Sequence, residues 1–143
     1  MDALILDASV LIGLLDTADA HHDRSIDDVE AADRAGRQLL LPASAYSETL
    51  VAFARAGRLH EARQAVAAMG IAVVPLTETI AEGAAELRAR HKQLRLPDAI
   101  VLATARERGG GLLSYDPRLS RLADLDDLDA AQAWLDALPS ELE

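Results

Sequence analysis

The stretch ALILDASVLIGLLD, residues 3–16, begins as an unbroken apolar run, stops at Asp7 and resumes with apolar residues at helical spacing. A run without polar alternation is the signature of a strand buried on both faces. A helix follows it where a hairpin turn would otherwise stand. The same unit recurs along the chain. QLLLPA (38–43) and IAVVPL (71–76) are two more short apolar runs followed by helical patterns, and GGLLSYD (110–116) is a fourth run that ends, like the first, in an acid. Short apolar strands alternating with helices predict a parallel sheet with both faces covered, a three-layer α/β/α domain.

The helical segments carry their own punctuation. HDRSIDDVEAADRAG (22–36) reads as a polar surface helix stopped by Gly36. SAYSETLVAFARAG (44–57) and RLHEARQAVAAMG (58–70) each end in glycine, and together they predict a helical hairpin. In TETIAEGAAELRARHKQL (77–94), Thr79 and Glu82 have capping-box spacing, and Ile80, Ala84, Leu87 and Leu94 form an apolar face. A helix over 97–108 follows, and the triple glycine after it reads as a helix stop. Residues 122–143 predict an acidic C-terminal helix with Trp134 and Leu138 turned inward. No repeat or linker divides residues 1–143, so a single domain is expected.

Bulk composition restricts the chemistry. With no cysteine among 143 residues, disulfides, thiolate metal sites and cysteine nucleophiles are excluded. No apolar run reaches the length of a membrane span, and no basic segment precedes the first apolar stretch, so a cytoplasmic protein is expected. The net charge of −10 argues at first against a nucleic-acid partner. Seven of the 24 acids lie beyond Arg121, however, leaving 17 acids against 14 bases in the first 121 residues. Thirteen of those bases are arginines, the residue suited to bidentate phosphate contacts, so charge leaves the partner open.

Four acids break apolar surroundings: Asp7, Glu48, Asp98 and Asp116. Each alone has an ordinary explanation. Asp7 is solvated at a strand end, Asp116 makes a turn before Pro117, Asp98 caps a helix and Glu48 lies on a wet face. Asp98 fits its explanation least well. Three, four and seven residues on stand Val101, Leu102 and Ala105, so its face must be buried. Ligands bind at the carboxyl ends of strands in parallel sheets, where Asp7 and Asp116 sit. Carboxylates converging there repel one another unless they hold a cation, and oxygen ligands suit Mg²⁺ or Mn²⁺. His21 and His22, adjacent on a polar loop, read as solvated, and His60 and His91 as surface residues.

Two other readings use the same acids. An acidic-pocket phosphotransfer or phosphohydrolase domain also places an Asp at a strand end. A receiver needs a later lysine at a strand end, whereas Lys92 lies in a helical pattern, and a dehalogenase-like hydrolase needs an Asp where Ser9 stands. A non-enzymatic α/β binding module, with purely structural acids, is the third.

Four segments resemble the motifs of PIN-domain nucleases, in order: LILDASVLIGLL (4–15), SAYSETLVAFARAGR (44–58), LPDAIVLATARERG (96–109) and LLSYDPRL (112–119). The nearest subgroup is the VapC-type toxins of bacterial toxin–antitoxin pairs. The resemblance covers roughly residues 3–121 and implies a PIN-like sheet of four to five strands. The fifth strand is in doubt, because residues 122–143 read as helix. It assigns the acidic positions to Asp7, Glu48, Asp98 and Asp116 and the supporting hydroxyls to Ser9 and Ser114. It further implies an endoribonuclease using Mg²⁺ or Mn²⁺, with Asp7 and Asp98 as the strongest ligands, acting on RNA and restrained by a cognate antitoxin. An acidic site would be blocked by a basic tail on that partner. The helices at 44–57 and 58–70, with Tyr46, Leu50, Phe53, Leu59, Val66 and Met69, are the expected docking surface and a homodimer contact.

Overall fold

The computed structural model describes residues 2–124 and 136–137. β1 (Ala3–Leu6), β2 (Gln38–Pro42), β3 (Ala72–Val74) and β4 (Gly111–Leu113) form one sheet in the order β3-β2-β1-β4. All three pairings are parallel, with Leu4 opposite Leu39 and Gly111, and Leu40 opposite Ala72. The helices are α1 (Ala8–Leu15), α2 (His22–Arg34), α3 (Ala43–Arg55), α4 (Leu59–Ala68), α5 (Glu78–Arg90), α6 (Leu96–Arg108) and α7 (Pro117–Asp124). This is the expected three-layer α/β/α architecture. Ile5, Leu6, Leu11 and Leu41 are wholly buried at its centre, which accounts for strands written as continuous apolar runs.

Strand order matters more to function than strand number. The chain adds β2 and β3 outward on one side of β1, then returns to place β4 on the other side. The direction of winding therefore reverses at β1. Crossovers diverge at such a point and leave a crevice beyond the carboxyl ends of the two strands, here β1 and β4. The chain leaves those ends at Asp7 and at Ser114–Asp116.

Glycines end the helices as the sequence suggests. Gly36, Gly57, Gly70 and Gly109 all have positive φ. The triple glycine does more than stop α6. Gly109 caps it in the left-handed region at φ 61°. Gly110 lies so close to β1 that a Cβ there would stand 2.6 Å from the Ala3 carbonyl oxygen. Close approach requires glycine at 110, and helix termination requires it at 109.

Several local expectations need correction. Thr77, not Thr79, caps α5, its hydroxyl accepting from the Ile80 amide at 3.2 Å. Glu82 thus falls in the helix interior and there is no reciprocal capping box. α5 stops at Arg90, which leaves Lys92 in the following turn, and Leu94 reaches the core from outside the helix. His91 is no surface residue, since it is only 2% exposed. His22 is tied down as well, its Nδ1 lying 2.7 Å from the Gly13 carbonyl oxygen. A helix starts at Pro117, earlier than expected, and takes in residues 122–124. The rest of the acidic C-terminal segment, including Trp134 and Leu138, lies outside the described residues.

Candidate active site

Asp7 is the most constrained of the four acids. It follows β1 directly and is the N-cap of α1, where the Val10 amide donates to its Oδ1 at 3.2 Å. The Ser9 hydroxyl donates to the same oxygen at 2.6 Å, and the Ser114 hydroxyl, arriving from the end of β4, donates to Oδ2. Each serine is held in turn. The Tyr115 amide donates to Ser9 Oγ at 3.0 Å, and the Asp116 amide to Ser114 Oγ at 3.0 Å. Asp7 is 6% exposed and Ser114 9%. A buried carboxylate is tolerable when donors surround it, and these donors also lock β1 to β4 at their carboxyl ends.

Asp98 stands in the first turn of α6, with Pro97 before it and Ala99, Val101 and Leu102 buried after it. Its role is not capping. The N-cap is Arg95, and no side chain makes a cap hydrogen bond. Asp98 is turned toward the sheet edge, with its side chain 19% exposed. Burial pushes its carboxyl above the ordinary carboxylate range; Asp116 and Asp7 push the same way, while Arg95 and Arg118 oppose them. Glu48, in the second turn of α3, is raised too, first by burial and then by Asp98 and Asp7, with Arg95 opposing. Asp116 precedes α7, accepting from the Arg118 amide at 3.0 Å, and the Arg118 guanidinium lies 3.7 Å from its Oδ2.

All four acids, together with Ser9, line one cleft of about 240 Å³ walled by Ile12, Ala45 and Val101. They reach it from the end of β1, from α3, from α6 and from the loop after β4. Convergence stops short of a cage. Among the described residues, no three His, Cys, Asp or Glu side chains are gathered closely enough to hold an ion. Burial is the main reason that the Glu48 and Asp98 carboxyls are raised, and repulsion from the neighbouring acids adds to it. The donor set still fits a hard divalent cation: oxygen atoms only, from several elements, around a space large enough for an ion and its waters.

The sequence reading missed the base inside this cleft. Arg95 lies 3.5 Å from Asp98 Oδ2 and 4.0 Å from Glu48 Oε2. The signal was its position three residues before Asp98, an i, i+3 neighbour once α6 forms. Tyr115 was also passed over. It stands between Ser114 and Asp116, donates its hydroxyl to Asp28 Oδ2 at 2.8 Å and lies beneath the Arg24 guanidinium, 4.5 Å from its ring centre. Burial foremost, then Asp28, raises its phenol above the ordinary tyrosine range. The ring of His21 packs against it at 4.8 Å, so that histidine is not simply a solvated loop residue.

A family model described as "PIN domain" matches residues 4–125. The chain belongs to the PIN-domain family. No curated protein matches the sequence of this PIN domain. Among solved structures it is similar to VapC20 of Mycobacterium tuberculosis, a sarcin–ricin loop cleaving toxin, with 19% identity, a TM-score of 0.68 and coverage of 87% of this chain and 98% of that one. It is also similar to a chain of a toxin–antitoxin complex from Klebsiella pneumoniae, at 24% identity and TM-score 0.67, covering 80% and 87%. At such identities the likeness is one of fold. No helix among the described residues is long and apolar enough to cross a membrane.

Proposed function

We propose that this PIN domain is a Mg²⁺- or Mn²⁺-dependent endoribonuclease, acting in the cytoplasm as the toxin of a toxin–antitoxin pair. The observation that carries the reading is the arrival of Asp7, Glu48, Asp98 and Asp116 from separate elements at one cleft, where the winding of the sheet reverses. Asp7 and Asp98 are the residues that would hold the ion, with Glu48 and Asp116 completing the set. When bound, the ion supplies positive charge for a phosphodiester and makes water more acidic. The protein's own groups do the rest. Ser9 and Ser114 hold the Asp7 carboxylate in orientation through its two oxygens. Glu48, with a side chain 40% exposed, would orient an attacking water. The buried side chains of Ala45 and Val101 give the cleft part of an apolar lining.

The test is cleavage of RNA that requires Mg²⁺ or Mn²⁺ and stops with EDTA. Asp7→Asn and Asp98→Asn should each lose most activity while remaining folded. Undiminished cleavage by either variant, with contaminating nuclease excluded, sinks the assignment. Binding of Mn²⁺ by the wild type and not by Asp7→Asn separates an enzyme from a binding module with structural acids.

The partner reading draws on the likeness to a chain of a toxin–antitoxin complex. The expected docking face changes, however. Val66 is buried, and Tyr46 and Met69 pack against the core, so the α3–α4 hairpin offers less than its sequence suggests. What remains open is a groove of about 480 Å³ lined by Ile12, Leu15, Ala52 and Phe53, which shares Ile12 and Glu48 with the acidic cleft. An apolar helix in this groove would bring a following basic tail to the carboxylates. Co-expression of Asp7→Asn with the neighbouring gene's product should yield a small co-purifying protein, and the mass of the complex tells whether the chain is a homodimer. If no small protein co-purifies or suppresses cleavage, the toxin reading fails and the nuclease reading stands.

A further inference from the structure

Among the described residues that line the acidic cleft, Arg95 is the one base. Its side chain is 56% exposed and divides itself between carboxylates on two helices, Glu48 of α3 and Asp98 of α6. At 4.0 and 3.5 Å, neither contact is a short charge-assisted hydrogen bond, which would lie near about 2.8 Å. The guanidinium donors that these two contacts leave over are open to solvent. Its backbone, by contrast, is well placed. Arg95 is the N-cap of α6, and its carbonyl accepts from the Ala99 amide at 2.9 Å. The charge is thus delivered to the cleft on a firm anchor but held there loosely.

Two consequences follow from position alone. Arg95 lies where a cation serving Glu48 and Asp98 would also lie, and like charges compete for one pair of carboxylates. Once another cation neutralises those acids, the guanidinium loses its partners and faces the cleft mouth, where a phosphodiester must approach. Its fork suits two phosphate oxygens.

We infer that Arg95 exchanges partners during the reaction, acting as counter-ion to Glu48 and Asp98 in the cation-free cleft and as a phosphate-positioning residue once a divalent ion is bound. The inference rests on the metal-dependent reading above. It makes one side chain oppose the ion and favour the substrate, and a purely structural arginine would not show effects of opposite sign.

The experiment uses the full chain with Arg95→Gln and Arg95→Lys, both checked by thermal melting. Mn²⁺ binding is measured by calorimetry without RNA. RNA binding is measured by anisotropy of a fluorescein-labelled, mixed-sequence single strand with Ca²⁺ as the non-cleaving ion. Arg95→Gln should bind Mn²⁺ about fivefold more tightly, the order expected for one half-exposed charge beside a divalent ion. It should bind RNA about tenfold more weakly, as when one charged contact to phosphate is lost. Arg95→Lys, which keeps the charge without the fork, should bind Mn²⁺ like the wild type and RNA at an intermediate level. Mn²⁺ affinity unchanged or weakened in Arg95→Gln overturns the proposal. So does unchanged RNA affinity alongside tighter Mn²⁺. A wild-type chain that binds no Mn²⁺ is the distinct failure of the metal-site reading, and it removes this inference as well.

Discussion

Removing the Ser114 hydroxyl should cost a large share of the protein's stability. Ser114→Ala withdraws a donor from Asp7 Oδ2 and an acceptor from the Asp116 amide. The first loss deprives a nearly buried carboxylate of one of three hydrogen bonds, the others coming from Ser9 and Val10. A hydrogen bond to a charged group contributes about 1.5–3 kcal/mol. The second loss adds about 0.5–1 kcal/mol, because Asp116 is only partly buried and water can replace the hydroxyl. The combined expectation is about 2–4 kcal/mol, a large share of a marginal stability of roughly 5–15 kcal/mol. Urea unfolding followed by circular dichroism, in EDTA, measures it through the midpoint at constant slope. A double-mutant cycle with Asp7→Ala, which removes the acceptor, isolates the shared bond and should give a coupling of at least about 1 kcal/mol. If Ser114→Ala costs under about 0.5 kcal/mol, or the two substitutions are additive, Ser114 does not hold Asp7 and the link between β1 and β4 must be sought elsewhere.

Mg²⁺ or Mn²⁺ at 100 times its dissociation constant should stabilise the protein by about 2.7 kcal/mol, visible in thermal melting as roughly 5–10 °C for a chain of this length; a melting curve indifferent to both ions would show that the acids do not act together. Asp98 and Glu48 both hold protons more tightly folded than unfolded. Their contribution to metal-free stability should therefore be fully present below the ordinary carboxylate pKa of about 4 and be lost as pH rises through the raised folded values. Asp98→Asn removes its share of that loss, so the urea midpoint of the variant relative to the wild type should be higher at about pH 7 than at about pH 4; the same difference at both pH values would mean that Asp98 is not strained by burial. Gly110→Ala forces a Cβ to 2.6 Å from both the Ala3 carbonyl oxygen and Ile5 Cδ1. It should cost about 1–3 kcal/mol in the same urea assay, and a neutral result would show that β4 can move away from β1 without penalty.

The order and type of the elements could be read from the chain because the signals are local. A strand buried on both faces must be a continuous apolar run, and Leu39–Leu41 is one. Glycine is the residue for the left-handed region after a helix, and Gly36, Gly57, Gly70 and Gly109 all stand there. Asp98 also betrayed itself locally, since no ordinary cap points into the face occupied by Val101 and Leu102. Boundaries were less legible. Thr77 and Thr79 are equivalent as hydroxyls, and only packing of Ile80 and Ala84 into the core selects the register in which Thr77 caps.

What the tertiary structure decided was everything that depends on which strands are neighbours. Nothing in the segment 110–116 says that β4 returns to β1 instead of extending the sheet beyond β3, yet that return makes the crevice and sets Ser114 against Asp7, 107 residues away. His91 is buried although it lies in a stretch rich in charge, which the local pattern does not show. Arg95 shows the same division within one side chain. Its spacing from Asp98 is local, but its distance from Glu48 is set by α3 packing beside α6. Local sequence fixes conformation through sterics and capping, whereas charges act through space, so the partners of each acid appear only once the chain has folded.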